Sequence, residues 1–289
     1  MDVTTLVTQL LTGLAYGMLL FMISVGLSVI FGLMNVVNLA HGAFYVVGVY
    51  VAFTLMETGL GFWAALVLGT LTVAVLGVLT ERFLLARTYG NELNEVLLTF
   101  GLAFVLADLV RLIWGTNPQT LAQPTALAFR VAFAGVEFPA YRLFVVLVGC
   151  LVAALLWYFE TRTRIGAIVR AGVDDREMVS ALGINVTLVF AGVFAFGAGL
   201  AAFGGILGGP ILGMYPDQGF DILVVALIVV VLGGLGTWKG AFAGAVLVGM
   251  VETMGRIYFP SLSLVIVFLL MAVVLLIRPS GLFGRSVAT

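Results

Sequence analysis

Nine stretches of this chain are apolar over roughly the length a helix needs to cross a bilayer, about 20 residues. They run Leu6 to Phe31, Val36 to Met56, Phe62 to Thr80, Val96 to Trp114, Leu143 to Phe159, Val186 to Leu207, Phe220 to Leu235, Ala241 to Tyr258 and Leu262 to Ile277. In hydrocarbon no water satisfies backbone N–H and C=O groups, so such stretches must be helices or strands of a closed barrel. No ten-residue alternation of apolar and polar residues recurs, which argues against a barrel. The expected fold is an all-α polytopic transmembrane bundle, one domain over residues 1–289. It has nine spans, or eight if Val36 to Met56 dips in and returns. Composition agrees: 63% of the residues are apolar and 9% charged, against roughly a quarter charged in soluble chains. The first stretch lacks a basic n-region and exceeds a signal peptide's apolar core, so it is expected to be retained.

Charge sets the orientation. With nine spans, Arg82, Arg87, Arg162, Arg164, Arg170, Arg176, Lys239, Arg278 and Arg285 fall on one side, and Arg111, Arg130, Arg142 and Arg256 on the other. The basic side is expected to be cytoplasmic, with the C-terminus on it. A net charge of −1 leaves no basic footprint for nucleic acid. A single cysteine, Cys150, and a single histidine, His41, exclude an intrachain disulfide and any Cys- or His-rich metal site.

Two connections are long. Gly115 to Arg142, with Pro118, Pro124 and Pro139, is external and apolar enough to lie along the membrane surface. The cytoplasmic segment 161–185 is the most charged part of the chain. Ile165, Ile168, Val169, Val173, Val179 and Leu182 recur there near helical spacing, with Arg170, Asp174, Arg176 and Glu177 on other faces. The pattern predicts an amphipathic helix under the membrane. Asp174, Asp175 and Glu177 nearly balance the arginines, which suits a protein partner better than a lipid surface. A solvated connector obeying the positive-inside rule is the alternative.

Glycine is abundant, 36 residues, and many lie four apart within the spans, a spacing that lets helix backbones approach closely. The clusters Gly204-Gly205, Gly208-Gly209-Pro210 and Gly233-Gly234-Leu235-Gly236 are expected to interrupt helices, as in proteins that build a polar site at membrane depth. An internal duplication is compatible with this pattern, but the two halves do not align. Polar groups inside the spans are costly and mark candidates for function. Asn35, Asn38 and His41 sit in Gly32 to Gly48, and helical spacing would put Asn38 and His41 on one face. They either line a path or bridge helices by hydrogen bonds. Asp108 with Arg111 and Glu252 with Arg256 are spaced to neutralise one another on their own helices.

Some chemistry is missing. Gly233 to Gly240, GGLGTWKG, lacks the spacing of a phosphate-binding loop. Ser24 and Ser28, the serines nearest His41 in sequence, are not in a nucleophile elbow, so an intramembrane hydrolase has little support. The deep carboxylates have arginine neighbours, unlike those of an ion-driven carrier. A passive channel remains the other class. A pore with no engine and a charged cytoplasmic helix points to a separate engine.

The blocks GLSVIFGLMNVVNLAHGAFYVVGVYVA (Gly26 to Ala52), RIGAIVRAGVDDREMVSALGINV (Arg164 to Val186) and VVLGGLGTWKGAFAGAVLVGMVE (Val230 to Glu252) resemble the permeases of branched-chain amino-acid ABC transporters. The N-x-x-N-x-A-H-G run resembles the shorter permease of the usual pair, and the resemblance covers essentially the whole chain. It implies a non-catalytic subunit of a bacterial inner-membrane importer, with no cofactor of its own. The implied partners are a second homologous permease, two cytoplasmic ATPases that use ATP, and an external solute-binding protein. Urea and short-chain amide permeases share much the same blocks. The candidate residues are then Asn35, Asn38, His41 and Gly42 on the substrate path. Arg170, Gly172, Asp174, Asp175, Arg176, Glu177 and Gly183 are candidates for coupling to the ATPases. Gly204, Gly205, Gly208, Gly209, Gly233, Gly234 and Gly236 are candidates for helix breaks and packing.

Overall fold

The computed structural model describes residues 3–133, 136–174 and 176–284. Eleven α-helices are described: α1 (Val3–Met34), α2 (His41–Glu57), α3 (Phe62–Phe83), α4 (Glu92–Trp114), α5 (Ala140–Arg162), α6 (Arg164–Asp174), α7 (Arg176–Ala181), α8 (Val186–Leu212), α9 (Gln218–Gly233), α10 (Trp238–Tyr258) and α11 (Ser263–Ile277). Seven are long and apolar enough to cross a membrane, while α2 and α9 are shorter apolar helices. Between α4 and α5 an antiparallel hairpin pairs β1 (Arg130–Phe133) with β2 (Val136–Pro139). Asparagine side chains start two long helices, Asn91 accepting from the Asn94 amide at 3.1 Å and Asn185 from the Leu188 amide at 3.2 Å. Each satisfies an amide with no partner in its own helix.

A helix apolar all round belongs in the interior, and α1 is buried through residues 17–28. Packing fixes its neighbours. Gly17 lies against Ala245 and Gly32 against Gly236, so α1 and α10 run antiparallel. Gly26 meets Gly197, and Ile23 meets Gly204, so α8 also crosses α1 antiparallel. In a bilayer, helix association gains little from moving apolar side chains out of lipid, so close glycine-mediated approach matters more.

The arrangement is an inverted repeat. α1–α4 and α8–α11 have matching element order, a long helix, a short one, then two more, and the short helices are 17 and 16 residues long. α1 packs on α10 as α8 packs on α3, α1 crosses α8, and α2 meets α9. Those relations describe a pseudo-two-fold axis in the membrane plane. Each short helix has glycine as its second residue, Gly42 and Gly219. This is the duplication that the sequence did not align.

Two expectations are corrected. Gly204, Gly205, Gly208 and Gly209 lie within α8, which is continuous to Leu212. They serve packing: a Cβ on Gly204 would come within 2.9 Å of Ile23, and one on Gly205 within 2.8 Å of the Tyr45 carbonyl oxygen. The cluster at Gly233, Gly234 and Gly236 does end a helix. Gly234 has φ +101°, open to glycine but strained for other residues. The free carbonyls of Leu232 and Gly233 accept from the Leu282 and Phe283 amides, both at 2.9 Å. Within 161–185 the described residues are helical over Arg164–Asp174 (α6) and Arg176–Ala181 (α7), and Gly183 follows with φ +80°. The second correction is that residues 115–139 carry a hairpin, with Gln119 paired to Met214, so part of this connection packs on the bundle.

Candidate substrate path

The second apolar stretch is helical only from His41. The chain leaves α1 through Asn35, the described non-glycine residue with a left-handed backbone (φ +54°), and asparagine tolerates that conformation better than most. The Asn38 Oδ1 accepts from the Ala40 amide at 3.1 Å, and the His41 amide donates to the Asn38 carbonyl at 3.3 Å. Asn38 is thus in the turn before α2, and it does not share a helix face with His41 as the periodicity predicted.

The His41 ring fixes the depth of the turn. Its Nε2 lies 2.9 Å from the Ile23 carbonyl oxygen, so the ring donates there and Nδ1 is left without a partner. Ile23 is eleven residues before the end of α1, about 16 Å along its axis. Residues 35–40 therefore run back into the bundle before α2 begins. Thr99 Oγ1 donates to the Val37 carbonyl at 3.3 Å, and Trp114 Nε1 to Thr54 Oγ1 at 2.7 Å. Both place α2 alongside α4 and running to its far end. The stretch therefore completes a crossing, the nine-span alternative.

α9 starts in the same way. After Gly213 the chain turns inward, and α2 and α9 meet at their first turns. A Cβ on Gly42 would overlap the Gly219 carbonyl oxygen, and one on Gly219 would lie 2.8 Å from the Gly42 carbonyl oxygen. Behind this junction a Cβ on Gly26 would come within 2.6 Å of the Gly197 carbonyl oxygen and 3.1 Å of the His41 ring. Two helix N-termini, each the positive end of a helix dipole, thus converge inside the bundle.

Of the path candidates, Asn38, His41 and Gly42 are brought together and wholly buried, while Asn35 is exposed at the end of α1. A narrow cleft opens beside them between α2, α4 and α9. It is lined by Leu39, Ala43, Leu106, Val110, Gly219 and Phe220 among others, with free volume of about 10 Å³, space for one water. Of the coupling candidates, Asp175 lies outside the described residues, as do the side chains of Arg170, Asp174, Arg176 and Glu177 and the surroundings of Gly172. Their backbone places Arg170, Gly172 and Asp174 on α6, and Arg176 and Glu177 on α7. α6 is tied to the bundle by Val169, packed on the core, and α7 by the buried Val179. The neighbouring Trp238 Nε1 donates to Glu160, joining the start of α10 to the end of α5.

A polar cluster emerges that the sequence reading described only in part. Arg111 pairs with Asp108 at 2.5 Å, as its spacing predicted, and also with Asp217 just before α9. Asp221, one turn on, accepts from the Tyr215 hydroxyl at 2.7 Å. The missed signal was two carboxylates four apart at the start of an apolar stretch with no basic neighbour. Arg256 does pair with Glu252 on α10, at 2.6 Å.

These features define a class: a helical membrane protein built as an inverted repeat, with two broken crossings whose inner ends meet in the bundle, as in transport proteins. The chain belongs to the family described as branched-chain amino acid transport system, permease component, which matches residues 9–275. It is similar to the high-affinity branched-chain amino acid transport system permease protein BraD of Pseudomonas aeruginosa, 31% identical over 96% of this chain and 95% of that one. The LivH permease protein of Escherichia coli K12 is 28% identical with the same coverage. The LivM permease protein of that organism is 27% identical over 93% of this chain and 68% of its own length. Among solved structures, PsaBC from Streptococcus pneumoniae in complex with Fab shares the fold, with a TM-score of 0.50 at 12% identity over 92% of this chain and 89% of that one. The chain is a multi-pass permease subunit, not an enzyme.

Proposed function

We propose that this chain imports branched-chain amino acids as one of two homologous permeases in an inner-membrane complex. Two cytoplasmic ATPases supply ATP hydrolysis, and an external binding protein delivers the substrate. This chain binds no cofactor. The family match over residues 9–275 carries this reading, and two named relatives at 95% coverage support the substrate. α6 and α7 lie at the more basic end of the bundle, which makes that end and the C-terminus cytoplasmic. These helices then couple the ATPases to the bundle through Arg170, Gly172, Asp174, Asp175, Arg176, Glu177 and Gly183. Asn35, Asn38, His41 and Gly42 shape the path by holding the inner end of α2 in place.

The test is uptake of labelled leucine by proteoliposomes containing the chain with its partner proteins. Uptake should require ATP and the external binding protein, and unlabelled isoleucine and valine should compete where urea and acetamide do not. Leucine uptake without ATP, ATP hydrolysis by the purified chain alone, or competition by urea in place of isoleucine would overturn the reading.

A further inference from the structure

We propose that the corner where the cytoplasmic end of α5 meets the start of α10 binds an anionic inner-leaflet phospholipid with two phosphates, of the cardiolipin type. The inference uses the orientation given above and is independent of the substrate. α5 and α10 stand side by side on α1, with Gly149 against Met18 and Gly17 against Ala245. At their cytoplasmic ends Trp238 Nε1 donates to Glu160. Arg162 lies two residues past Glu160 and Lys239 one past Trp238, so this contact brings cations from two helices to one corner. Arg164 follows at the start of α6. All three are exposed, and among the described residues none of them forms an ion pair.

The membrane side of the corner is built for a lipid. Leu147, Leu151, Leu155, Tyr158 and Arg162 recur at helical spacing, so they share one face of α5. The first four are each more than half exposed. From Leu147 to Arg162 this face runs about 22 Å, passing from an apolar stripe that suits acyl chains, through a tyrosine, to a cation. Trp157 and Tyr158 are exposed where amphipathic rings settle at headgroup level. Lys239 lies over the Trp238 ring, 5.8 Å from its centroid, which holds the ammonium at the same level. Charge sets the kind of headgroup. Three cations stand against one carboxylate, Glu160, so the corner carries a net charge of +2, which two phosphates cancel. Basic pockets between spanning helices on the cytoplasmic side seat such headgroups. A cytoplasmic protein could meet the cations, but it could not follow the same face down into the bilayer.

Native mass spectrometry of the delipidated complex with its partner proteins tests this, with cardiolipin, phosphatidylglycerol or phosphatidylethanolamine added in detergent. Cardiolipin should be held most tightly, phosphatidylglycerol less so, and phosphatidylethanolamine not above background. Arg162→Gln with Lys239→Gln should weaken cardiolipin binding about 30-fold, about 2 kcal/mol. Arg162→Lys with Lys239→Arg keeps both charges and should bind as the parent does, as should Arg130→Gln on the external hairpin. Equal cardiolipin binding by the parent and the neutral variant, or equal retention of phosphatidylethanolamine, would overturn the inference. Loss of the ATPases at unchanged lipid binding would also overturn it, by assigning the corner to that partner. Added salt should weaken cardiolipin binding to the parent complex, so salt-insensitive binding would sink the inference even if the neutral variant failed to assemble. None of these outcomes touches the transporter reading, whose test is uptake.

Discussion

Gly42→Ala is the sharpest test of the junction between the broken crossings. The new Cβ would sit 2.7 Å from the Gly219 carbonyl carbon and 3.0 Å from the Leu223 Cβ, as well as overlapping the Gly219 oxygen. Carbon pairs settle at about 3.5–4.0 Å, so the first contact is about 1 Å too short. None of these atoms can rotate away, because two are backbone and the third is a Cβ. α2 and α9 must therefore separate. Overpacking typically costs about 1–3 kcal/mol, and a backbone obstacle puts this case near about 3 kcal/mol. For a chain of this size 1 kcal/mol moves the melting temperature by about 2–4 °C, so the expected fall is about 6–12 °C. The assay is thermal unfolding of the detergent-purified complex, followed by loss of its monodisperse peak. Gly192→Ala on α8 is the control. Its Cβ would meet nothing within 4 Å, and replacing an interior helix glycine by alanine gains about 1 kcal/mol. If Gly42→Ala melted within about 2 °C of the parent, less than 1 kcal/mol on this scale, the backbone contact would not exist as described.

His41→Ala should cost about 0.5–1.5 kcal/mol for the lost bond to the Ile23 carbonyl, which keeps its helix partner, with the emptied ring volume adding to it, read in the same melt; lost uptake at an unchanged melt would place His41 on the path instead. Trp238→Phe and Glu160→Gln should show a coupling of about 0.5–3 kcal/mol in a double-mutant cycle, and strict additivity would dissolve the contact between α5 and α10. Asp174→Lys with Glu177→Lys should lower co-purified ATPase and substrate-stimulated hydrolysis while membrane insertion survives, since reversing adjacent interface charges costs several kcal/mol. Wild-type ATPase yield and stimulation would return 161–185 to a solvated connector.

All nine apolar stretches correspond to helices, because a bilayer leaves an apolar segment little other choice. Helix boundaries at Asn91 and Asn185 also follow from local chemistry, since their side chains cap. The break at Asn35 was harder to read. Asn38 and His41 fit helical periodicity, yet Asn35 takes a left-handed backbone and the Asn38 side chain serves its own turn. The glycine clusters misled in α8 for the opposite reason. Glycine at membrane depth permits either a break or a close contact, and only the neighbouring helix decides. Gly204 and Gly205 have α1 and α2 pressed against them, whereas Gly233 and Gly234 have the turn into α10 and the C-terminal strap. The Arg111–Asp217 pair joins residues more than a hundred apart, and no local pattern announces it.

This last pair breaks the inverted repeat. α4 and α11 are counterparts, the fourth helices of their halves. Yet α11 has no charged residue from Ser263 to Ile277, whereas α4 carries Asp108 and Arg111 in its last two turns. The asymmetry extends to α9, where Asp217 pairs with Arg111 of α4 and Asp221 accepts from the Tyr215 hydroxyl. Internal symmetry does not account for a feature present in one half only; what holds these charges is the pairing of Arg111 with Asp108 on its own helix and with Asp217 before α9, beside the Phe104–Phe220 contact.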